Sequence, residues 1–349
     1  MRKTTLSLVS TAAALLFVGM TSAQAADAIV AAPPEAPGNY VAVCDAFGTG
    51  YFYIPGTETC LKLSGAISVT GGYDHLRDSG YSAVEARMDF DTRADSEVGT
   101  IGTKIRLSSN RNLDSYTLGG GDIQDDAIEL AYITAGPVFA GYKETLIDTN
   151  ILYGDSLDLE TYMGGRNTTT LGFLADNLGG GFYVGLAVEN RDRGDGLTTT
   201  WYTDHDLPSI VPNNSPDIAA RAGIAGQGWG KADISGLYST ETEDWLVKGT
   251  ADLEAFEKAG FRLTAGYGET GENDYYLLAA AGKYAFTDKV SAFTGVSYLN
   301  QDNDFEVWTA NLGTIYSVAS NFDVKGEAYY SDWETDDTFG AKFTFVRSW

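Results

Sequence analysis

The sequence predicts an all-β chain, a 16-stranded antiparallel transmembrane β-barrel with short turns at one rim and longer loops at the other. Three observations predict it. Segment after segment alternates apolar with polar or charged side chains, the period of a strand. The connections between those segments alternate short and long, as the two rims of a barrel require. Beyond the first residues no apolar run approaches the ~20 that a helical span needs, whereas a barrel shows lipid only alternate positions.

The chain opens with Arg2 and Lys3, an apolar run from Ala12 to Val18, and Ala23-Gln24-Ala25. That is the layout of an export signal, so residues 1–25 are expected to be cleaved; a membrane-anchoring helix is the alternative, and the run is short for it. Removing two basic residues takes the formal charge of -25 to 21 − 48 = -27. Such acidity repels nucleic acid and favours cations in any water-filled space it surrounds. Residues 26–39, rich in Pro and Ala, read as a flexible lead. Residues 40–60 carry both cysteines, Cys44 and Cys60. In an oxidising compartment that pair reads as a disulfide; a metal site is the weaker alternative, because neither His75 nor His205 is near in sequence.

The barrel is expected over 61–349. Leu61, Leu63, Ile67 and Val69 alternate with Lys62, Ser64, Ala66 and Ser68. Val84, Ala86, Met88 and Phe90 share one parity, and Glu85, Arg87, Asp89, Asp91 and Arg93 the other. A face with five charges is excluded from a dry core but suits an aqueous lumen. Ile101, Thr103, Ile105 and Leu107 then face away from Gly102, Lys104, Arg106 and Ser108. Thirteen further segments follow, beginning near Gln124, Val138, Thr168, Phe182, Asp217, Lys231, Asp244, Gly260, Asp274, Val290, Glu306, Phe322 and Thr338.

Connections such as AGP and TDK alternate with longer acidic ones such as NRNLDSYTLGGGDIQDD, GETGEN, NQDND and SDWETDD. Tyr, Trp and Phe gather near segment ends, as interfacial girdles do. In the final segment Phe339, Ala341, Phe343 and Phe345 share the lipid-facing parity, closure is expected near Leu61 and Phe345, and Trp349 is expected at the interface. Arg347 breaks the alternation and should lie at headgroup level, snorkelling to water.

Val43 to Leu61, VCDAFGTGYFYIPGTETCL, resembles the N-terminal signature of the alphaproteobacterial porins of rhizobia and brucellae, and ELAYIT near Glu129 and the terminal RSW are similar to that family as well. The resemblance implies a general diffusion porin of the outer membrane, a homotrimer among lipid and lipopolysaccharide, passing small hydrophilic solutes and ions without a cofactor. It implies that the third long loop, Gly141 to Asn167, folds into the lumen and that Phe343, Phe345 and Trp349 form an assembly signal. Asp148, Asp155, Asp158 and Glu160 would then supply the acidic side of a constriction, with Arg87, Arg106 and Lys143 opposite.

Other motifs carry less. GYGETG at 266–271 and GQGWGK at 226–231 have the glycine spacing of phosphate loops, but neither opens a helix. There is no G-x-S-x-G, so an outer-membrane hydrolase is not indicated. Asp122, Asp125 and Asp126, or Asp302 and Asp304, have the hard oxygen ligands that suit Ca²⁺ or Mg²⁺ bridging lipopolysaccharide, without a fixed loop pattern. The competing functional readings are a substrate-selective channel, for example for oligosaccharides, and a closed structural or adhesive barrel.

Overall fold

The computed structural model describes residues 42–75, 78–113, 123–154, 159, 163–165, 167–176, 178–190, 216–240, 242–271, 273–302, 305–333 and 336–349. The strands are β1 (Phe52–Tyr53), β2 (Cys60–Asp74), β3 (Ser79–Ala94), β4 (Ile101–Leu113), β5 (Ile123–Ala135), β6 (Val138–Glu144), β7 (Asn167–Ala175), β8 (Phe182–Asn190) and β9 (Asp217–Gln227). They continue with β10 (Gly230–Ser239), β11 (Trp245–Phe256), β12 (Ala259–Thr270), β13 (Asn273–Ala285), β14 (Val290–Gln301), β15 (Phe305–Ala319), β16 (Phe322–Trp333) and β17 (Asp336–Ser348). Each of β2 to β17 pairs antiparallel with the next, and β17 pairs with β2, which closes a ring of sixteen. Among the described residues no helix is long and apolar enough to cross a membrane, and the barrel crosses with strands.

The alternation read from the sequence sorts the two faces. Val84 and Met88, Ile105 and Leu107, Leu278, Val296, Leu312 and Phe343 are exposed on the outside. Their odd-and-even partners Asp89, Lys248, Thr264, Ser297, Asn311 and Glu327 are buried inside. Aromatics form two outer belts. Tyr267, Tyr276, Tyr298, Trp308 and Tyr330 lie toward the rim of the long connections, with the Tyr298 ring centroid 4.3 Å from that of Trp308 in a tilted pair and 5.8 Å from that of Tyr276 edge to face. Tyr284, Phe286, Tyr316 and Trp349 lie toward the rim where the chain ends. Eight residues separate Tyr276 from Tyr284, and Trp308 from Tyr316. At about 3.3 Å per residue and a tilt near 40°, the belts stand roughly 20 Å apart, comparable to the apolar band of an outer-membrane barrel.

The strands run further than the sequence suggests. GETGEN and SDWETDD lie largely inside β12, β13, β16 and β17 rather than in loops, and Asn300 and Gln301 of NQDND end β14. Above the lipid both faces of a strand are wet, so polar residues do not stop the hydrogen-bond ladder. The longer connections fall in the first half, where β4–β5, β6–β7 and β8–β9 are joined. At the other rim the turns are tight: Gly136, at φ 56°, makes the one before Pro137.

Closure differs in register from the expectation. Phe345 pairs with Val69, and the seam runs from Gly340↔Asp74 to Ser348↔Ala66. Leu61 lies beyond the end of β17 and pairs with Phe52 of β1. That extension of β2 is covered by the segment that the Cys44–Cys60 disulfide closes, with both cysteines buried and their Cα atoms 6.0 Å apart. Trp349 exchanges backbone hydrogen bonds with Gly65 at 3.0 and 3.2 Å, and its ring occupies the space a Cβ at Gly65 would need. Arg347 donates to the carbonyls of Ser320 and Asn321 at 2.8 and 2.9 Å, capping the β15–β16 turn at this rim.

Candidate functional site

The site begins with a low place in the wall. β6 has only seven residues and β7 nine, against twelve to sixteen in most of the others, so the chain leaves the sheet partway up and turns into the lumen. Glu189, buried on β8, fixes the start: its carboxylate accepts from Thr145 Oγ1 at 2.7 Å and from the Leu146 amide at 2.8 Å. Three cations further along the wall, on β9, β11 and β12, then hold the loop, mainly by its carbonyls. Arg221 donates to Leu146 O at 3.4 Å, Asp148 O at 3.0 Å and Thr149 Oγ1 at 3.1 Å. Lys248 donates to Met163 O at 3.0 Å, and Arg262 to Leu152 O at 2.9 Å. Arg221 and Arg262 are themselves aimed by Asp233 and Asp252, at 2.9 and 2.6 Å.

Apolar packing completes the anchorage. Ile151, Leu152, Leu159 and Met163 bury against Leu277, Leu299, Phe305 and Val307. Leu146 and Ile147 bury against Phe139, Ala187, Ala219, Leu237 and Leu246. Each such aliphatic side chain contributes about 1.5–3 kcal/mol on burial. Strand glycines make the room: a Cβ at Gly266 would run into Met163 Sδ, and one at Gly295 would sit 2.8 Å from Leu152 Cδ2.

The wall of β3 and β4 stays wet and charged. Arg87 lies 3.0 Å from Glu85 and 3.2 Å from Glu129. Arg106 donates to Asp89 at 2.7 Å and faces Glu129 at 3.5 Å and Glu144 at 3.9 Å. Lys104 lies 3.6 Å from Asp89 and 3.9 Å from Asp91. Glu129 reaches this ladder through a β-bulge: Arg106 pairs with Leu130 but Leu107 pairs with Ile128, leaving Glu129 as the extra residue. Strict alternation does not find it.

The sequence-predicted residues therefore separate into groups. Arg87 and Arg106 share the ladder. Lys143 is on the lumen parity of β6, its ammonium 4.8 Å from the Phe139 ring centroid and donating to Glu144 O at 2.8 Å. Asp148 lies in the inward loop, where its carbonyl receives Arg221. Asp155, Asp158 and Glu160 lie outside the described residues, as do residues 1–41, Asp122, Asp304 and His205, and the side chains of Asp125 and Asp126. Gly266 to Gly271 belongs to β12 and its turn, and Gly226 to Lys231 spans the β9–β10 hairpin, so neither glycine motif opens a helix. The loop-holding set of Arg221, Lys248, Arg262 and Glu189 was not singled out from sequence. One signal for it exists: Leu277 to Ala281 is apolar on both parities, which a barrel wall tolerates only where its inner face is covered.

A closed barrel with an apolar belted exterior, a charged lumen and a loop folded across it defines an outer-membrane channel. Residues 27–346 match the family described as Porin subfamily, and the chain belongs to that family. It is 31% identical over 361 residues to outer membrane protein IIIA of Rhizobium leguminosarum bv. viciae, covering 98% of this chain and 94% of that one. It is 30% identical over 378 residues to porin Omp2a of Brucella suis, covering 98% of both. Among solved structures, the outer-membrane channel DcaP of Acinetobacter baumannii superposes with a TM-score of 0.66 at 13% identity, over 85% of this chain and 99% of that one. An anion-selective porin of Comamonas acidovorans gives 0.58 at 10% identity, over 84% and 100%. A trimer form of OmpT of Vibrio cholerae gives 0.50 at 12% identity, over 84% and 100%. At these identities the structural likeness is one of fold.

Proposed function

We propose that this diffusion channel is a general one, passing small hydrophilic solutes and ions passively and preferring cations. The observation that carries the preference is the acidity of the sequence, a formal charge of -25. Along β3 to β6 the lumen wall is itself balanced, with Arg87, Arg93, Lys104, Arg106 and Lys143 among the carboxylates of Glu85, Asp89, Asp91, Glu129 and Glu144. The surplus of carboxylate over the rest of the molecule raises the local concentration of cations along the aqueous path. The test is the reversal potential of the full chain across a KCl gradient in a planar bilayer. Cation preference is expected, Glu129→Gln should reduce it, and a strong anion preference would refute the reading. Flux linear in solute concentration would support a general channel over a substrate-selective one, and absence of conductance would favour a closed barrel.

The assembled form is proposed to be a trimer in a membrane bearing lipopolysaccharide. The aliphatic outer face of β3 to β5, with Val84, Met88, Ile105, Leu107, Ile128 and Ile133 exposed, suits contact with a second copy as well as with lipid. A native gel before and after heating tests this; a monomer band without heating would count against it.

A further inference from the structure

A second feature of the lumen lies between the inward loop and the rim where the chain ends. A cavity of about 470 Å³ is bounded by Tyr153 and Gly154 above, by the β11–β12 turn below, and by the inner faces of β13 to β17. Its volume is in the range of ligand pockets and fits a solute of hexose size. Four lysines line it, Lys283 of β13, Lys325 of β16, Lys342 of β17 and Lys258 of the β11–β12 turn, beside three carboxylates, Glu254, Glu257 and Glu327.

Its roof is built rather than incidental. Arg262 holds Leu152 O at 2.9 Å, and Asn311 donates to Tyr153 O at 2.6 Å and to Glu327 Oε1 at 3.0 Å. Gly154 sits at φ 101°, and a Cβ there would collide with Glu327 and Phe293, so the turn is seated against the wall. The Tyr153 ring has Arg262 and Lys283 at 4.7 and 5.3 Å from its centroid. Glu327 is turned into the wall, its side chain 3% exposed between Asn311 and Lys342 Nζ at 3.5 Å. Lys283 is 46% exposed; besides the Tyr153 ring it has a long 3.4 Å contact to Glu254, which is itself well solvated. The carboxylate deepest in the site is thus neutralised within the wall while an ammonium is presented to the space. Four lysines against three carboxylates leave the lining on the positive side, in a chain as acidic as this one.

We infer that this cavity is a subsite that retains small anionic solutes, a phosphate or carboxylate group carried on a polar body of about hexose size. The lysines act as point charges on the anion, and Tyr153 and Phe293 offer flat surface to the body. The inference rests on the channel reading. A ladder of paired charges near the loop and a lysine-lined cavity beyond it place two electrostatic elements in series.

The experiment is KCl current through the full-chain protein in a planar bilayer, with glucose 6-phosphate, gluconate or glucose added to one side. Glucose 6-phosphate should interrupt the current saturably, at a concentration at least tenfold below that needed for glucose, and more readily from the rim where the chain ends. Block by gluconate at similar concentration assigns the site to anions generally, and block by glucose 6-phosphate alone assigns it to phosphate. The double variant K283Q/K342Q should raise the half-blocking concentration about tenfold with KCl conductance within a factor of two of the parent, and K283R/K342R should restore block. Lys325→Gln provides an independent variant if the double one assembles poorly. Equal block by glucose and glucose 6-phosphate, or block unchanged in the lysine variants, would overturn the subsite. Loss of KCl conductance in the parent protein would instead overturn the channel reading.

Discussion

Arg221 is the most informative residue to remove, because its guanidinium joins the wall to the loop at three points. In Arg221→Met the bonds to Leu146 O, Asp148 O and Thr149 Oγ1 are lost, together with the pair to Asp233 at 2.9 Å. Hydrogen bonds from a charged donor contribute about 1.5–3 kcal/mol each, and bonds sharing one side chain are not additive, so a combined loss of about 3–4 kcal/mol is reasonable. The loop should nevertheless stay in the lumen. Leu146 and Ile147 remain buried at 4% and 0% exposure, each opposing ejection by about 1.5–3 kcal/mol, and the Lys248 and Arg262 holds are untouched. The expected result is local opening over Leu146 to Thr149. A change of about 3 kcal/mol corresponds to roughly a 150-fold larger opening constant.

A thiol at Thr149→Cys reads that opening as a labelling rate, and single-channel current reads it as added noise. Arg221→Met should accelerate labelling by well over tenfold and increase noise. Arg221→Lys keeps the charge but loses the fork, and should fall between. The double variant Arg221→Met with Asp233→Asn isolates the stranded carboxylate. Asp233 would otherwise keep the Tyr183 hydroxyl, at 3.1 Å, as its polar partner, so neutralising it should recover barrel stability but not loop order. Unchanged labelling and noise in Arg221→Met would refute the latch.

Three further outcomes follow from the same contacts. Gly154→Val places a branched side chain at φ 101° against Glu327 and Phe293; backbone strain of about 1–3 kcal/mol plus the collision should displace the loop turn and alter single-channel conductance. Breaking the disulfide by Cys44→Ser with Cys60→Ser should cost about 3 kcal/mol for a loop of this length, seen as a lower unfolding temperature on heated gels, with conductance preserved because the pair lies at a rim outside the seam. Trp349→Ala removes the ring that covers Gly65 at the closing strand and should lower the yield of assembled barrel in the membrane fraction more than it lowers the conductance of barrels that do assemble.

The barrel was legible because its physics is local. Lipid outside and water inside impose a period of two on each strand, so Val84 to Arg93 and Ile101 to Ser108 declare both faces without reference to any neighbour. The same locality explains the errors at the edges. Nothing in GETGEN or SDWETDD distinguishes a loop from a strand rising above the membrane, since both are solvated. The closing register was misplaced because β2 runs past the end of β17 to meet the disulfide segment, a fact of pairing rather than of pattern.

The site was legible only in part. Arg87 and Arg106 follow from parity, but Glu129 enters the ladder through a bulge, and a one-residue irregularity reverses every inference drawn from alternation. Arg221, Lys248 and Arg262 look like any lumen cation in sequence; that they hold carbonyls 73 to 110 residues away depends on how the loop crosses the barrel. By itself the sequence determined that the chain forms a barrel, how many strands it has and which face of each meets lipid, because the contrast between lipid and water acts on one strand at a time. Only the tertiary structure decided which charges line open water and which are spent on the loop, because that depends on what a strand faces across the lumen.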